Sequence, residues 1–76
     1  MEKLVRYMAE ALVDHPEQVE VLVVEGENSI IFELKVAPDD VGKVIGKGGQ
    51  TAKAMRKILS AAAMKLNKKS LLQIIE

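Results

Sequence analysis

The stretch "VIGKGGQTAKAMRKIL", residues 44–59, places three glycines and a lysine between two apolar helical patterns. Glycine weakens a regular element because it loses more backbone freedom on folding than any other residue. A chain of 76 residues has little stability to lose. The segment Gly46–Gly49 is therefore predicted to be a loop that serves something other than the fold.

Glycine-rich loops that precede a helix usually bind phosphate, because backbone N–H groups point outward there and no Cβ blocks an anion. A P-loop does not fit, since one residue too few separates Gly42 from Gly46 and Gly48 follows Lys47 where Ser or Thr is needed. A dinucleotide-binding fingerprint fails too, because Thr51 occupies its third glycine position and a helix precedes the loop. Two interpretations remain: a helix–GxxG–helix loop that binds phosphate, or a plain turn between two helices.

The half of the chain before the loop is predicted to form a helix and a hairpin. Apolar residues recur at helical spacing from Leu4 to Leu12, and Pro16 ends that helix because proline cannot continue it. Residues 19–24 and 30–36 are β-branched runs that predict two strands. Between them, Gly26 and Asn28 are available for the positive φ angles of a hairpin turn.

The segments next to the loop and beyond it predict two helices and a strand. Pro38, Asp39 and Asp40 suit the first turn of a short helix, since carboxylates complement the positive end of the helix dipole. A longer helix is predicted from about Gln50 to Leu66, and Ser70 to Glu76 is predicted to be a final strand. The expected buried positions are Val41, Val44 and Ile45 in the short helix, and Ala52, Met55, Leu59, Ala62 and Leu66 in the long one. The predicted order is α-β-β-α-α-β.

Composition narrows the class of protein. The chain has no cysteine, which excludes a disulfide framework and a thiolate zinc site and fits a reducing compartment. No apolar run approaches the roughly 20 residues that span a bilayer, and the first residues lack the apolar core of a signal peptide. We therefore expect a soluble, cytoplasmic protein without membrane association.

An enzyme is not indicated by the polar residues. His15 is the only histidine, and its position beside a proline in a turn favours a structural or solvent-exposed role. The carboxylates of Asp39 and Asp40 are explained as first-turn residues. We find no nucleophile with a base and no metal-ligand spacing, so we expect no catalysis, no metal, no cofactor and no small-molecule substrate.

Charge is divided unevenly along the chain, although the net charge is zero. Residues 1–40 carry ten acidic and three basic side chains, a net charge of −7. Residues 41–76 carry eight basic side chains and one acidic, a net charge of +7. This asymmetry favours an anion-facing surface on the second half, although ordinary solvated lysines would give the same composition.

The segment Val44–Gly49 resembles the V-I-G-x-x-G signature of the KH module, and the element order resembles its type II form. The likeness continues through Arg56, and essentially the whole chain is similar to the small bacterial KH proteins of the KhpA family. Thr51 and Ala52 stand where many KH domains have isoleucine, and small residues there fit that subgroup. The resemblance implies one α+β domain over residues 1–76, with a three-stranded mixed sheet and helices packed on one face.

The resemblance also implies single-stranded RNA binding, in which the GxxG loop clamps the sugar-phosphate backbone and bases lie in an adjacent apolar groove. An RNA chaperone or regulatory factor is the implied role. The implied contact residues are Lys43, Val44, Ile45, Gly46, Lys47, Gly48, Gly49, Gln50, Lys53 and Arg56. Few aromatic residues are present, which disfavours recognition by base stacking on rings.

A second surface suggests association between chains. Ala54, Ile58 and Ala61 form a small-residue flank on the long helix, with Met64 on its polar side. Packing within one chain would explain the flank equally well, but a candidate dimer interface is the alternative. The family resemblance implies self-association and pairing with a larger KH-containing RNA-binding protein. The competing hypothesis is therefore a protein-interaction subunit, a view that the uncovered sheet residues Leu22, Val24 and Ile31 also favour.

Overall fold

The computed structural model describes residues 1–75, and its regular elements follow the predicted order. Three short 3-10 turns, at Pro16–Gln18, Pro38–Asp40 and Lys47–Gly49, connect them. The elements are α1 (Glu2–Leu12), β1 (Glu20–Glu25), β2 (Ser29–Lys35), α2 (Val41–Ile45), α3 (Gln50–Met64) and β3 (Lys69–Ile75). Glu76, the last residue of the predicted strand, lies outside the described residues.

The sheet has three strands in the order β1-β2-β3, with β2 in the centre. β1 runs antiparallel to β2, as expected of a hairpin, whereas β3 runs parallel to β2 after the α2–α3 crossover. The sheet is therefore mixed, which confirms the predicted α+β class.

The core lies between the helices and one face of this sheet. Phe32 and Leu34 of the central strand are fully buried, and their neighbours are aliphatic. The cluster comprises Val5, Ala9, Val13, Val19, Ile30, Phe32, Leu34, Val36, Val44, Met55, Leu59, Ala63 and Leu72. Because α1, α2 and α3 all contribute to one cluster, the helices pack on the same side of the sheet, as predicted.

Among residues 1–75, no helix packs against the other face of the sheet. Leu22 and Val24 are exposed there, and Ile31 is half-buried between Val24 and Leu71 in the strand register. Glu33 and Lys35 lie on the same face, because side chains alternate along β2. The prediction of an apolar sheet surface without a cover is confirmed.

Several local predictions are wrong, and Ala62, which the pattern placed in the core, is only half-buried. Neither Gly26 nor Asn28 has a positive φ, because a hydrogen bond from the Gly26 N–H to the Ser29 carbonyl closes the hairpin with ordinary backbone angles. Leu66 was predicted in the core and is exposed, since α3 ends at Met64 and Ala63 is the last buried residue of its stripe. Ile45 was predicted to be buried and is 38% exposed at the end of α2.

The helix α3 ends because a residue just beyond it, Asn67, adopts a left-handed backbone conformation. Asn67 has φ 59°, and the N–H groups of Asn67 and Lys68 donate to the carbonyls of Met64 and Ala63. This is the pattern of a Schellman motif, in which asparagine replaces the usual glycine. The 15-residue α3 is the longest helix of residues 1–75, and no helix in that range is long and apolar enough to cross a membrane.

Candidate nucleic-acid interface

The glycine segment joins α2 directly to α3. Gly46 ends α2 and accepts, through its carbonyl, a hydrogen bond of 3.0 Å from the Gly49 N–H. Lys47 lies at the exposed tip of this turn. The loop therefore brings one basic side chain between two helix ends.

Three of these residues have positive φ angles that favour glycine, and Gly46 is the most restrictive. Its backbone, at φ 79° and ψ 170°, lies in a region that only glycine occupies readily. A Cβ on Gly46 would lie 2.8 Å from the Thr51 nitrogen and 2.6 Å from the Thr51 Cβ. Gly48 differs, because its left-handed conformation leaves nothing within 4 Å of a Cβ. Gly46 is thus required by packing, whereas space remains open around Gly48.

The first turn of α3 faces the loop without a side-chain cap. Gly49 occupies the N-cap position in the left-handed conformation, and within residues 1–75 no side chain bonds to the first N–H groups of the helix. These N–H groups and the helix dipole attract negative charge. Gln50 is exposed at the same end of the helix. The end of α3 next to the loop is therefore suited to a phosphate group.

Lys43 lies on α2 but is held by acidic side chains. Its Nζ is 3.1 Å from Asp14 Oδ2 and 3.9 Å from Asp40 Oδ1. The hydrogen bond with Asp14 is the main reason that the pKa of Lys43 is raised above its ordinary value. Lys43 is thus charged but locally neutralised, whereas Lys47 forms no ion pair within the described range 1–75.

The other two basic candidates lie along α3. Lys53 and Arg56 are both exposed, and their spacing of three residues places them on neighbouring turns of one face. The Arg56 guanidinium donates a hydrogen bond of 3.3 Å to the Leu72 carbonyl. This contact joins the side of α3 that carries Lys53 and Arg56 to the edge strand β3.

The two apolar candidates before the loop differ in burial. Val44 has no accessible surface and belongs to the core, whereas Ile45 presents more than a third of its side chain to solvent. Of these two residues, Ile45 is the one that offers accessible apolar surface next to Gly46.

Sequence reasoning missed a polar cluster centred on Asp40. This carboxylate is fully buried and accepts hydrogen bonds from the backbone N–H groups of Asp14 and His15, at 3.2 and 3.0 Å. Burial alone would raise the pKa of Asp40, but these bonds and the His15 ring together lower it below its ordinary value. One signal was available: Asp40 precedes the buried Val44 by four residues, which places both on one side of a helix.

The loop after α3 is tied to the hairpin. Lys68 forms an ion pair with Glu25, and the resulting hydrogen bond is the main cause of the lowered pKa of Glu25. The Lys69 N–H donates to the Asn28 carbonyl at 3.0 Å. These bonds fix the start of β3, the strand that Arg56 contacts.

The candidate dimer residues are all exposed. Ile58 and Met64 leave 47% and 69% of their surface accessible, and Ala54 and Ala61 are also exposed. The flank is therefore not covered within one protomer.

Two helices joined by a GxxG loop on a mixed three-stranded sheet define a KH domain of type II. The family model of the KhpA/KhpB KH domain matches residues 2–74 of this chain. The chain belongs to the KhpA/KhpB KH-domain family.

Full-length relatives support this assignment. The chain is 57% identical over 75 residues to a Clostridium perfringens protein named RNA-binding protein KhpA, covering 99% of this chain and all of the relative. It is 55% identical, with the same coverage, to a protein of that name from Clostridium acetobutylicum. A protein of the same name from Aquifex aeolicus is 42% identical over 76 residues, which cover all of this chain and 96% of the relative.

Proposed function

We propose that this protein is a single KH domain that binds single-stranded RNA in the cytoplasm as a chaperone or regulatory factor, without catalysing a reaction. The glycine loop holds the sugar-phosphate backbone, and bases lie against apolar surface next to it. The family assignment and the names of the relatives support RNA as the ligand.

The observation that carries the proposal is the geometry of residues 46–49. Positive φ angles at Gly46, Gly48 and Gly49 open the backbone, and space remains free around the last two. The exposed Lys47 lies in the same segment, three residues before the uncapped start of α3 at Gln50. Backbone N–H groups, a helix dipole and an ammonium group together suit a phosphodiester.

The remaining contact residues extend this site in two directions. Lys53 and Arg56 continue the positive surface along α3, and Gln50 offers an amide beside the loop. Ile45 supplies the accessible part of the apolar wall, and Val44 supports it from the core. Lys43 contributes charge while it also pairs with Asp14, so we assign it a smaller share of phosphate binding than Lys47.

Salt dependence tests this mechanism. Each phosphate that is neutralised on a single strand contributes about −0.7 to the slope of log K against log salt concentration. Lys47→Gln is therefore expected to make the slope shallower by about 0.7 and to weaken binding of all RNA sequences alike. Fluorescence anisotropy with a short labelled RNA between about 50 and 200 mM salt measures both effects.

Lys3→Gln is the matched control, because it removes the same charge from an exposed position on α1. Its slope should equal that of the wild type. Binding that does not change with salt would contradict the backbone clamp.

The exposed flank of α3 supports a second candidate function. We propose that Ala54, Ile58, Ala61 and Met64 form an interface between chains, so that the protein pairs with itself or with a larger KH-containing RNA-binding protein. Association is favoured when apolar side chains are buried away from water against a complementary surface. The small side chains of alanine also allow two helices to approach closely.

Ala61→Glu is expected to convert a dimer to a monomer in analytical ultracentrifugation. A carboxylate without a partner at the centre of a helix interface is strongly unfavourable, whereas at an exposed position it changes stability little. Gln18→Glu is the control, since it adds the same negative charge at an exposed position before β1, outside α3. Equal masses for the wild type and both variants would rule out this interface.

A further inference from the structure

Asp40 is a charged side chain with no accessible surface. Burying a carboxylate is costly unless hydrogen bonds and opposite charges compensate for lost water. Asp39, the preceding residue, carries the same group and is exposed. The two neighbours therefore have identical chemistry but different surroundings.

Both oxygens of Asp40 bind the turn between α1 and β1. Oδ1 accepts from the Asp14 N–H at 3.2 Å, and Oδ2 accepts from the His15 N–H at 3.0 Å. The His15 Nδ1 is also 3.0 Å from Oδ2, and the Lys43 ammonium is 3.9 Å from Oδ1. Partners 25 and 26 residues away in sequence are thus joined to the residue that precedes α2.

Apart from the exposed ion pair between Lys43 and Asp14, α2 has few other means of fixing its direction. It contains five residues, less than two turns, and such a helix is not stable on its own. Val44 anchors it in the core, but apolar contacts are not directional. The hydrogen bonds of Asp40 have fixed donors and angles, and the opposite end of α2 continues directly into Gly46.

We propose that Asp40 is a positioning residue for RNA binding: by fastening the start of α2 to the α1–β1 turn, it sets the direction in which α2 presents the Gly46–Gly49 loop. This inference rests on the proposed RNA-binding function of that loop. Asp40 itself does not contact RNA.

The charge of Asp40 and its proposed positioning role predict opposite changes in RNA affinity when the carboxylate is removed, which makes the inference testable. Removing a negative charge beside a basic surface should tighten RNA binding, because a carboxylate repels phosphate. A positioning role predicts weaker binding when the charge and its bonds are removed. The sign of the change in affinity therefore separates the two explanations.

The experiment compares Asp40→Asn with Asp39→Asn. Each substitution removes one negative charge, and the two positions are adjacent in the chain. Asparagine keeps the shape of aspartate, and its amide oxygen still accepts one of the two backbone bonds. Urea unfolding first establishes conditions in which both variants are folded. Anisotropy is then expected to give about fivefold to tenfold weaker RNA binding for Asp40→Asn, and equal or slightly tighter binding for Asp39→Asn. Equal affinities in the two folded variants would overturn the inference.

Two NMR measurements on the proteins without RNA test the positioning role directly, and the first follows backbone amide signals of the loop. The amide signals of Lys47, Gly48 and Gly49 should move in Asp40→Asn and stay in place in Asp39→Asn. If they move although the wild type binds no RNA, Asp40 does set the direction of the loop, and it is the proposed RNA-binding function that is wrong. If they do not move, the positioning role is wrong whatever the RNA result.

The single histidine reports on the contact itself. Its hydrogen bond with Asp40 raises the pKa of His15 above the ordinary value of 6.5, partial burial opposes the shift, and the charges of Asp40, Glu17 and Asp14 add to it. The pKa from the ring C–H signal is expected to fall in Asp40→Asn and to change little in Asp39→Asn. An unchanged pKa in Asp40→Asn would show that the tether does not form in solution.

Discussion

Lys47→Asp combined with Gly48→Asp is expected to weaken binding of single-stranded RNA by at least about 30-fold without unfolding the protein. A hydrogen bond to a charged group contributes about 1.5–3 kcal/mol, which corresponds to roughly tenfold to 150-fold in affinity. Lys47 has no competing ion pair within residues 1–75, so its whole charge is available to phosphate. Two new carboxylates at the loop then repel the same phosphates, which increases the loss.

The fold should tolerate both changes. Lys47 is exposed, and a Cβ on Gly48 would meet nothing within 4 Å. Gly48 has φ 63° and ψ 19°, a left-handed conformation that aspartate adopts more readily than most residues, at a cost of about 1 kcal/mol. Circular dichroism and urea unfolding should therefore show a folded variant, and fluorescence anisotropy measures its affinity.

Lys3→Asp combined with Gln18→Glu is the matched control, because both pairs change the net charge by −3. Lys3 and Gln18 are exposed and lie before β1, outside the α2–loop–α3 segment. This control should retain most of the affinity. If both double variants lose affinity equally, then net charge explains the binding and the loop is not the clamp.

The element order could be predicted because the signals that encode it are local. Met55 and Leu59 repeat at helical spacing, and both are buried where the pattern placed them. Pro16 ends a helical pattern because of its own covalent structure. The need for glycine at the loop is equally local, since Gly46, Gly48 and Gly49 have the positive φ angles that favour it.

The surroundings of single polar residues could not be predicted in the same way. Asp39 and Asp40 are identical neighbours, and which one is buried depends on backbone N–H groups 25 and 26 residues away. Lys43 was placed beside the loop by spacing, but its pairing with Asp14 is a tertiary contact. Such contacts leave no periodic trace in the sequence, so only the folded structure reveals them.

The end of α3 illustrates a third case. Apolar spacing alone extended the helix to Leu66, but Asn67 in the left-handed conformation ends it at Met64. Because the chain leaves the helical path at this cap, Leu66 is exposed and is not part of the core. A pattern thus identifies an element, while capping hydrogen bonds determine its boundary.

Gly46→Ala is expected to lower the free energy of unfolding by about 4 kcal/mol, the largest effect on stability of any change proposed for the loop. The backbone angles of Gly46 strain any other residue, and the added Cβ would overlap the Thr51 nitrogen and Cβ at 2.8 and 2.6 Å. A domain of this length has roughly 4–11 kcal/mol in total. Urea unfolding followed by circular dichroism should therefore show a variant that is barely folded.

Gly48→Ala is the control, with an expected loss of only about 1 kcal/mol, because its Cβ meets no atom and only the left-handed angle is unfavourable. Adding Thr51→Ala to Gly46→Ala should not restore stability, since the Thr51 nitrogen and Cβ stay where they are. Equal losses at Gly46 and Gly48 would mean that the loop does not pack against the first turn of α3. Unequal losses would show that Gly46 is needed for the contact between the loop and the first turn of α3, and that Gly48 is not.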